Sequence, residues 1–148
     1  MNNKIGSYKS AETIGKSQID LILKVYDGTV ASLTSAREAY ANDQFADGRE
    51  HMEKTKRFVT HLYTTLNMDK GGEVAENLSK LYSYVISQTY VIQATKDVEL
   101  IDDMITIMEN LRSGWRGLKE QQAEGEIPES MPEAQATTET AREFTTTA

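Results

Sequence analysis

The sequence predicts an all-α protein: an antiparallel up-and-down four-helix bundle, with an N-terminal leader segment packing on it and a disordered acidic C-terminal tail. Both prolines of the 148-residue chain, Pro128 and Pro132, lie near its end, so nothing interrupts long helices before them. Four long segments place apolar residues three or four positions apart, which is the period of an amphipathic helix. The breaks between these segments are short, so consecutive helices are expected to run antiparallel.

The first two helices are bounded by polar residues. Ser17 is a candidate N-cap, and helix 1 is expected from about residue 18 to residue 41. The dipeptide Asn42-Asp43 breaks it, and helix 2 is expected from about residue 44 to residue 66. The expected core positions are Ile19, Ile22, Leu23, Tyr26, Val30, Leu33 and Tyr40 in helix 1, and Phe45, Gly48, Met52, Thr55, Val59, Leu62 and Leu66 in helix 2.

The third helix is expected to be the most enclosed. It follows the turn at Gly71-Gly72, runs from about residue 73 to residue 96, and has no charged residue between Leu81 and Thr95. Asp97 is a candidate N-cap for helix 4, which is expected to continue to about Lys119. The expected core positions are Val74, Leu78, Leu81, Val85 and Ile92 in helix 3, and Leu100, Ile101, Met104, Ile105, Met108, Leu111, Trp115 and Leu118 in helix 4.

The chain therefore divides into a leader at residues 1–16, a bundle domain at residues 17–122 and a tail at residues 123–148. The tail is rich in Glu, Thr, Ala and Pro, a composition that cannot offset its ordering entropy, so we expect it to be disordered. The leader is polar apart from Ile5, Tyr8 and Ile14, and we expect those residues to cover apolar surface on the bundle.

Composition excludes several classes of function. The absence of cysteine excludes disulfide scaffolds, Cys-ligated metals and thiol catalysis. The net charge is −7, of which six Glu and one Arg in residues 123–148 supply the larger part. A nucleic-acid binder needs a basic face, so a near-neutral body with an acidic tail argues against that role. No apolar run approaches the roughly 20 residues of a membrane span, and the N-terminus has no apolar signal region. We expect a cytoplasmic protein that is not an enzyme and needs no metal or cofactor.

One pattern suggests phosphoryl transfer. His51 is followed three residues later by Lys54 on helix 2, an arrangement that histidine phosphotransfer domains use. The position after that lysine is Thr55, on the core stripe, where such domains carry a small glycine. A histidine at the flank of an amphipathic helix is the plainer interpretation, and the phosphotransfer protein is kept as an alternative.

The helices carry more apolar surface than a small bundle needs. Leu21 and Val25 lie well around helix 1 from its main stripe, and Gly28 and Ser32 continue that face with small side chains. Tyr84 and Val91 form a second set on helix 3. Extra stripes require cover by another segment of the chain or by a partner, and both remain open from composition alone.

Four stretches of this sequence together resemble the FliS family of flagellin-specific export chaperones. The similarity spans roughly residues 8–118, with Tyr8 at the position of a leader tyrosine of the family and Gln18 in place of its usual proline. The stretches occur in the family's order and are SQIDLILKVYDG at 17–28, LNMD at 66–69 with GGEVA at 71–75, NLSKLYSY at 77–84, and LRSGW at 111–115.

The resemblance implies a chaperone that binds the C-terminal segment of flagellin, prevents its premature polymerisation and keeps it competent for flagellar type III secretion. It implies flagellin as the partner, with the flagellar export machinery as a further one. A generic four-helix adaptor remains an alternative, and a free monomer and a weak homodimer are both open. The expected partner-binding residues are Tyr8, Ile14, Leu21, Val25, Gly28, Tyr84 and Val91.

Overall fold

Within residues 2–123, four helices follow one another with short turns between them. The computed structural model describes the backbone of residues 2–123, and the side chains of residues 18–121 and 123. The tail predicted from residue 124 onward lies outside the described residues. The described part of the chain contains no strand, and its helices are α1 (Asn2–Ala41), α2 (Phe45–Thr64), α3 (Met68–Thr95) and α4 (Val98–Ala123).

The helices form the predicted antiparallel bundle. Helix α1 packs against both α2 and α4, α2 packs against α3, and α3 touches α4 least of the four neighbouring pairs. Helices α1 and α3 therefore lie diagonally across the bundle. The largest fully buried side chains, which come from all four helices, are Trp115, Tyr26, Tyr82, Ile19, Leu33, Met52, Leu62, Ile92, Ile101, Met104 and Met108.

The turns use the local chemistry of their residues. The side chain of Asn67 accepts a hydrogen bond from the Lys70 N–H at 3.0 Å and so caps α3. The carboxylate of Asp97 accepts one from the Glu99 N–H at 2.9 Å, which confirms the predicted cap of α4. Lys96 ends α3 in the left-handed region, with φ 58°.

Helix α1 begins at Asn2, well before the start expected at residue 18. The leader sequence has no proline, so the helical backbone continues through it without a break at Ser17. The side chains of residues 1–17 lie outside the description. The packing of the leader on the bundle, and the division of the chain into leader, bundle and tail, therefore stay predictions.

Helix α3 differs from expectation in its start and in its buried face. The sequence predicts a start at residue 73, but α3 begins at Met68, capped by Asn67, and is kinked at Gly72. Leu81, expected in the core, is only partly buried, whereas Tyr82 is fully buried. In a helix that is apolar nearly all round, the stripe alone does not identify the inward face. The buried residues of α3 are Gly71, Val74, Ala75, Leu78, Tyr82, Val85, Thr89 and Ile92.

Phe45 is another expected core residue that lies elsewhere, with 45% of its surface exposed. It is the first residue of α2, where the chain has just left the turn, and the Lys96 ammonium lies 5.3 Å from its ring centroid. The remaining expected core positions of α2 from Gly48 to Leu62 are buried.

We expect Gly72→Ala to destabilise the bundle by about 1–3 kcal/mol, because Gly72 has φ 58° and ψ −137°, a region that side-chain-bearing residues rarely occupy. Apart from Gly72 itself and the adjoining backbone, no atom lies within 4 Å of a Cβ built at this position, so crowding would not contribute. Urea unfolding followed by circular dichroism measures the effect.

The matched control is Gly117→Ala. Gly117 also has nothing within 4 Å of a built Cβ, but it lies inside α4 without a positive φ. Alanine there should leave stability unchanged or raise it by up to about 1 kcal/mol. Equal effects at the two positions would contradict the assignment of strain to Gly72.

Candidate partner-binding surfaces

The stretches that carry the family resemblance meet at a buried hydrogen-bond network. Trp115 on α4 donates from its indole N–H to the Tyr26 hydroxyl on α1 at 3.2 Å, and the Tyr26 hydroxyl also shares a hydrogen bond with that of Tyr82 on α3. All three side chains are 0% exposed. Burial raises the pKa of both tyrosines, so they stay neutral. These motif residues therefore hold three helices together and are not available to a partner.

Ion pairs continue the same motifs along the seam between α1 and α4. The Asp27 carboxylate accepts from Arg112 at 3.0 Å and lies 3.5 Å from the Arg116 guanidinium. Lys119 pairs with Asp20 at 2.9 Å. Because at least one partner of each pair is about half exposed, each pair contributes about 1 kcal/mol or less to stability. Their role is to fix the register of α4 against α1.

An open apolar groove lies between α1 and α2, with a volume of about 390 Å³. Leu21 and Val25 line it from α1, and Phe58 and Leu62 line it from α2. Leu21 is 63% exposed, the highest value among the large exposed hydrophobic residues of the described chain. Lys24, His61, Gln18 and Thr65 add polar groups to the lining. We call this feature the α1–α2 groove.

Gly28 allows the Phe58 ring, which lines the α1–α2 groove, to pack close against α1. A Cβ built on Gly28 would lie 2.6 Å from the Phe58 Cζ, so only glycine lets the ring approach α1 this closely. Ser32, one turn on, hydrogen-bonds the Thr55 hydroxyl at 2.6 Å and is buried. The small side chains expected to admit another chain therefore face α2 of the same chain.

Tyr84 and Val91 form a second apolar surface, on α3. They are 46% and 40% exposed, and their spacing of seven residues places them on one face of the helix. Partly buried Leu81 on α3 and Ile107 on α4 pack against the core. We call Tyr84 and Val91 the α3 ridge.

The predicted binding residues do not form one site. Leu21, Val25 and Gly28 belong to α1 and the ridge belongs to α3, diagonally across the bundle. The side chains of Tyr8 and Ile14 lie outside the description, so their part in binding stays a prediction. Sequence reasoning missed Phe58, whose ring lines the groove from α2. The sequence feature that could have identified Phe58 is its place as an aromatic residue next to the core stripe of helix 2, which would face a glycine in helix 1.

His51 is partly buried on α2. The ammonium of Lys54, which a phosphotransfer site would hold beside the imidazole, lies 6.0 Å from the ring centroid of Phe58. Among the described helices, none has both the length and the apolar character needed to cross a bilayer.

Comparison with known proteins places this chain in a family. The model of the family described as "Flagellar protein FliS" matches residues 1–122. The flagellar secretion chaperone FliSB of Pseudomonas aeruginosa is 29% identical over 66% of this chain and 78% of its own length. The flagellar secretion chaperone FliS of Vibrio cholerae is 23% identical over 78% of this chain and 88% of its own. That of Salmonella typhimurium is 28% identical, over 65% and 72%. The chain thus belongs to the FliS family, the family of the flagellar secretion chaperones.

Proposed function

We propose that this chain is a cytoplasmic export chaperone that binds the C-terminal segment of flagellin, prevents its premature polymerisation and keeps it competent for flagellar type III secretion. The observation that carries the proposal is the α1–α2 groove, an open apolar surface in a member of the FliS family. Leu21, in the lining of the groove, is 63% exposed. A surface of this kind on a small bundle calls for an apolar partner.

The groove suits an amphipathic helix. Such a helix lays anchors spaced three, four or seven residues apart into an apolar groove, while its polar face stays in water. Leu21 and Phe58 would contact the anchors, and Lys24 and His61 would flank the polar face. A segment that is disordered in the free state would fold as it binds, and its apolar face would then be covered and unable to join another subunit. No catalytic step is involved.

The α3 ridge and the leader are proposed as further contacts. Tyr84 and Val91 expose apolar surface that a second part of the same partner would cover. In the continuous helix α1, positions 14 and 21 are about two turns apart and so lie on the same face of the helix. We propose that Tyr8 and Ile14 extend the groove and regulate access to it. Contact with the export machinery, and a weak homodimer of the free chaperone, belong to the same proposal.

The test is calorimetric titration of the full chain with a peptide covering the C-terminal segment of flagellin. We expect saturable binding with a negative heat-capacity change, because apolar surface is buried. The same chain should suppress polymerisation of purified flagellin at an equimolar ratio. Absence of binding, together with unimpeded polymerisation, would overturn the proposal.

His51 should be dispensable for this function. We expect His51→Ala to leave the affinity for the flagellin segment within about threefold, or roughly 0.6 kcal/mol, because His51 does not line the groove. Calorimetry gives the affinity, and incubation with a phosphoryl donor followed by mass spectrometry checks for phosphohistidine. Stable phosphorylation of His51 in the intact protein would favour the phosphotransfer alternative.

A further inference from the structure

A second pocket lies on another part of the bundle, where α1 ends, α2 begins and α3 ends. It has a volume of about 430 Å³ and is lined by Tyr40 from α1, Phe45 and Arg49 from α2, and Tyr90 and Lys96 from α3. None of these residues lines the α1–α2 groove or belongs to the α3 ridge. We call it the end pocket.

The end pocket combines exposed aromatic rings with cations. Phe45 is 45% exposed and Tyr90 57% exposed. The Lys96 ammonium lies 5.3 Å from the Phe45 ring centroid, and that of Lys56 lies 4.4 Å from the Tyr90 centroid. Rings and cations in this arrangement suit a ligand that carries an apolar group next to a negative charge.

Two cations of the end pocket, Arg49 and Lys96, form no salt bridge within the part of the chain that the structure describes. The nearby carboxylate of Glu53 pairs with Lys56 at 3.2 Å, and the charge of Arg49 contributes to lowering the pKa of Glu53 without a direct ion pair between them. By contrast, the cations along the seam between α1 and α4 are already paired, which leaves less positive charge there for a ligand. The buried Tyr40 hydroxyl also lacks a hydrogen-bond partner among the described residues.

The chain itself contains a segment with the complementary chemistry. Residues 124–148 lie outside the described structure and carry six glutamates against a single arginine. Their one aromatic residue, Phe144, directly follows Glu143. This dipeptide offers a carboxylate and a ring side by side, which is the combination that the end pocket accepts.

The segment is long enough to reach the end pocket. Helix α4 starts two residues after Lys96 and has 26 residues, so its end at Ala123 lies about 39 Å away along the bundle. Residue 144 follows Ala123 by 21 residues, which span up to about 70 Å when extended. Tethering gives the segment a high effective concentration at the pocket, so contacts that would be weak between separate molecules suffice.

We propose that the acidic tail docks on its own bundle, with the Glu143 carboxylate between Arg49 and Lys96 and the Phe144 ring against Phe45 and Tyr90. The docking is intramolecular and does not depend on the proposed binding of flagellin. It gives Glu143 and Phe144 a defined position at the end of the bundle where α4 begins, within a tail whose composition otherwise predicts disorder.

Amide chemical shifts of the full chain, measured by NMR, test the docking. Relative to wild type, the double variant Glu143→Lys/Phe144→Ala should shift the amide signals of Ala46, Arg49, Gln93 and Ala94. The signals of Leu21 and Tyr84 should stay in place, because those residues lie on other surfaces. Shifts that appear only at the α1–α2 groove or the α3 ridge, or no shifts at all, would overturn the proposal.

Charge reversal separates docking from a structural effect. Arg49→Glu should release the tail and raise the backbone mobility of residues 140–148, measured by heteronuclear relaxation. Adding Glu143→Arg to that variant should restore the lower mobility. The matched control is Arg57→Glu, an exposed arginine of α2 outside the end pocket, which should leave the tail as in wild type. Failure of the restoring substitution, or a dependence of the pocket signals on protein concentration, would overturn intramolecular docking.

Discussion

Replacing Trp115 by alanine is expected to destabilise the bundle by about 3–5 kcal/mol, the range found when a large buried aromatic side chain is removed. Trp115 is 0% exposed. Its indole N–H satisfies the Tyr26 hydroxyl, so the substitution removes packing at the centre of the bundle and one hydrogen bond together. The melting temperature should fall by roughly 10–20 °C for a domain of this size. Circular dichroism is the suitable measurement, because the variant loses the only tryptophan of the chain.

The matched variant Trp115→Phe keeps an aromatic ring but removes the N–H donor. It should lose less stability than Trp115→Ala, because most of the cavity stays filled while one buried hydrogen bond, worth about 0.5–1.5 kcal/mol, is lost. Melting of Trp115→Ala within a few degrees of wild type would show that the three-helix network is not central to stability.

Leu21→Asp should weaken binding of the flagellin segment by at least about tenfold, since burial of a leucine side chain in a complex contributes about 1.5–3 kcal/mol. Leu21 is already 63% exposed in the free protein, so the substitution should leave the melting temperature nearly unchanged. Calorimetric titration and a thermal melt on the same sample distinguish loss of binding from loss of fold.

Tyr63→Asp provides the control for Leu21→Asp. Tyr63 is a large exposed side chain, 42% exposed, that does not line the α1–α2 groove. Its substitution should leave the affinity unchanged. If Leu21→Asp binds like wild type while Val91→Asp does not, the partner lies on the α3 ridge and the assignment of the groove is wrong.

The helical architecture could be predicted because its physical cause is local. Apolar residues recur every three or four positions, and the short polar breaks at residues 42–43 and 67–72 leave consecutive helices no geometry other than antiparallel. The expected core positions of α1 from Ile19 to Tyr40 are all buried. In α3, where no charged residue lies between Leu81 and Thr95 and apolar residues lie on several sides of the helix, periodicity could not rank Tyr82 above Leu81. Tyr82 points into the core, where its hydroxyl forms a hydrogen bond with that of Tyr26 on another helix.

The surfaces were harder to predict, because exposure depends on what neighbouring helices leave uncovered. Leu21 stood out in the sequence as an apolar residue off the main stripe, and it is exposed. Gly28 has the opposite role from the one expected, since the space beside it is filled by Phe58 of α2 and not by another chain. This contact joins two helices, so neither the sequence around Gly28 nor the sequence around Phe58 predicts it alone.

Gly72 separates two properties that usually go together in a protein, exposure and tolerance to substitution. Its surroundings are empty, so a scan of all substitutions that ranked positions by burial alone would class it as permissive. Its backbone conformation is instead strongly disfavoured for every residue that carries a Cβ. In a library of single-codon variants of this chain, position 72 should therefore be depleted to the degree of a core position such as Val85.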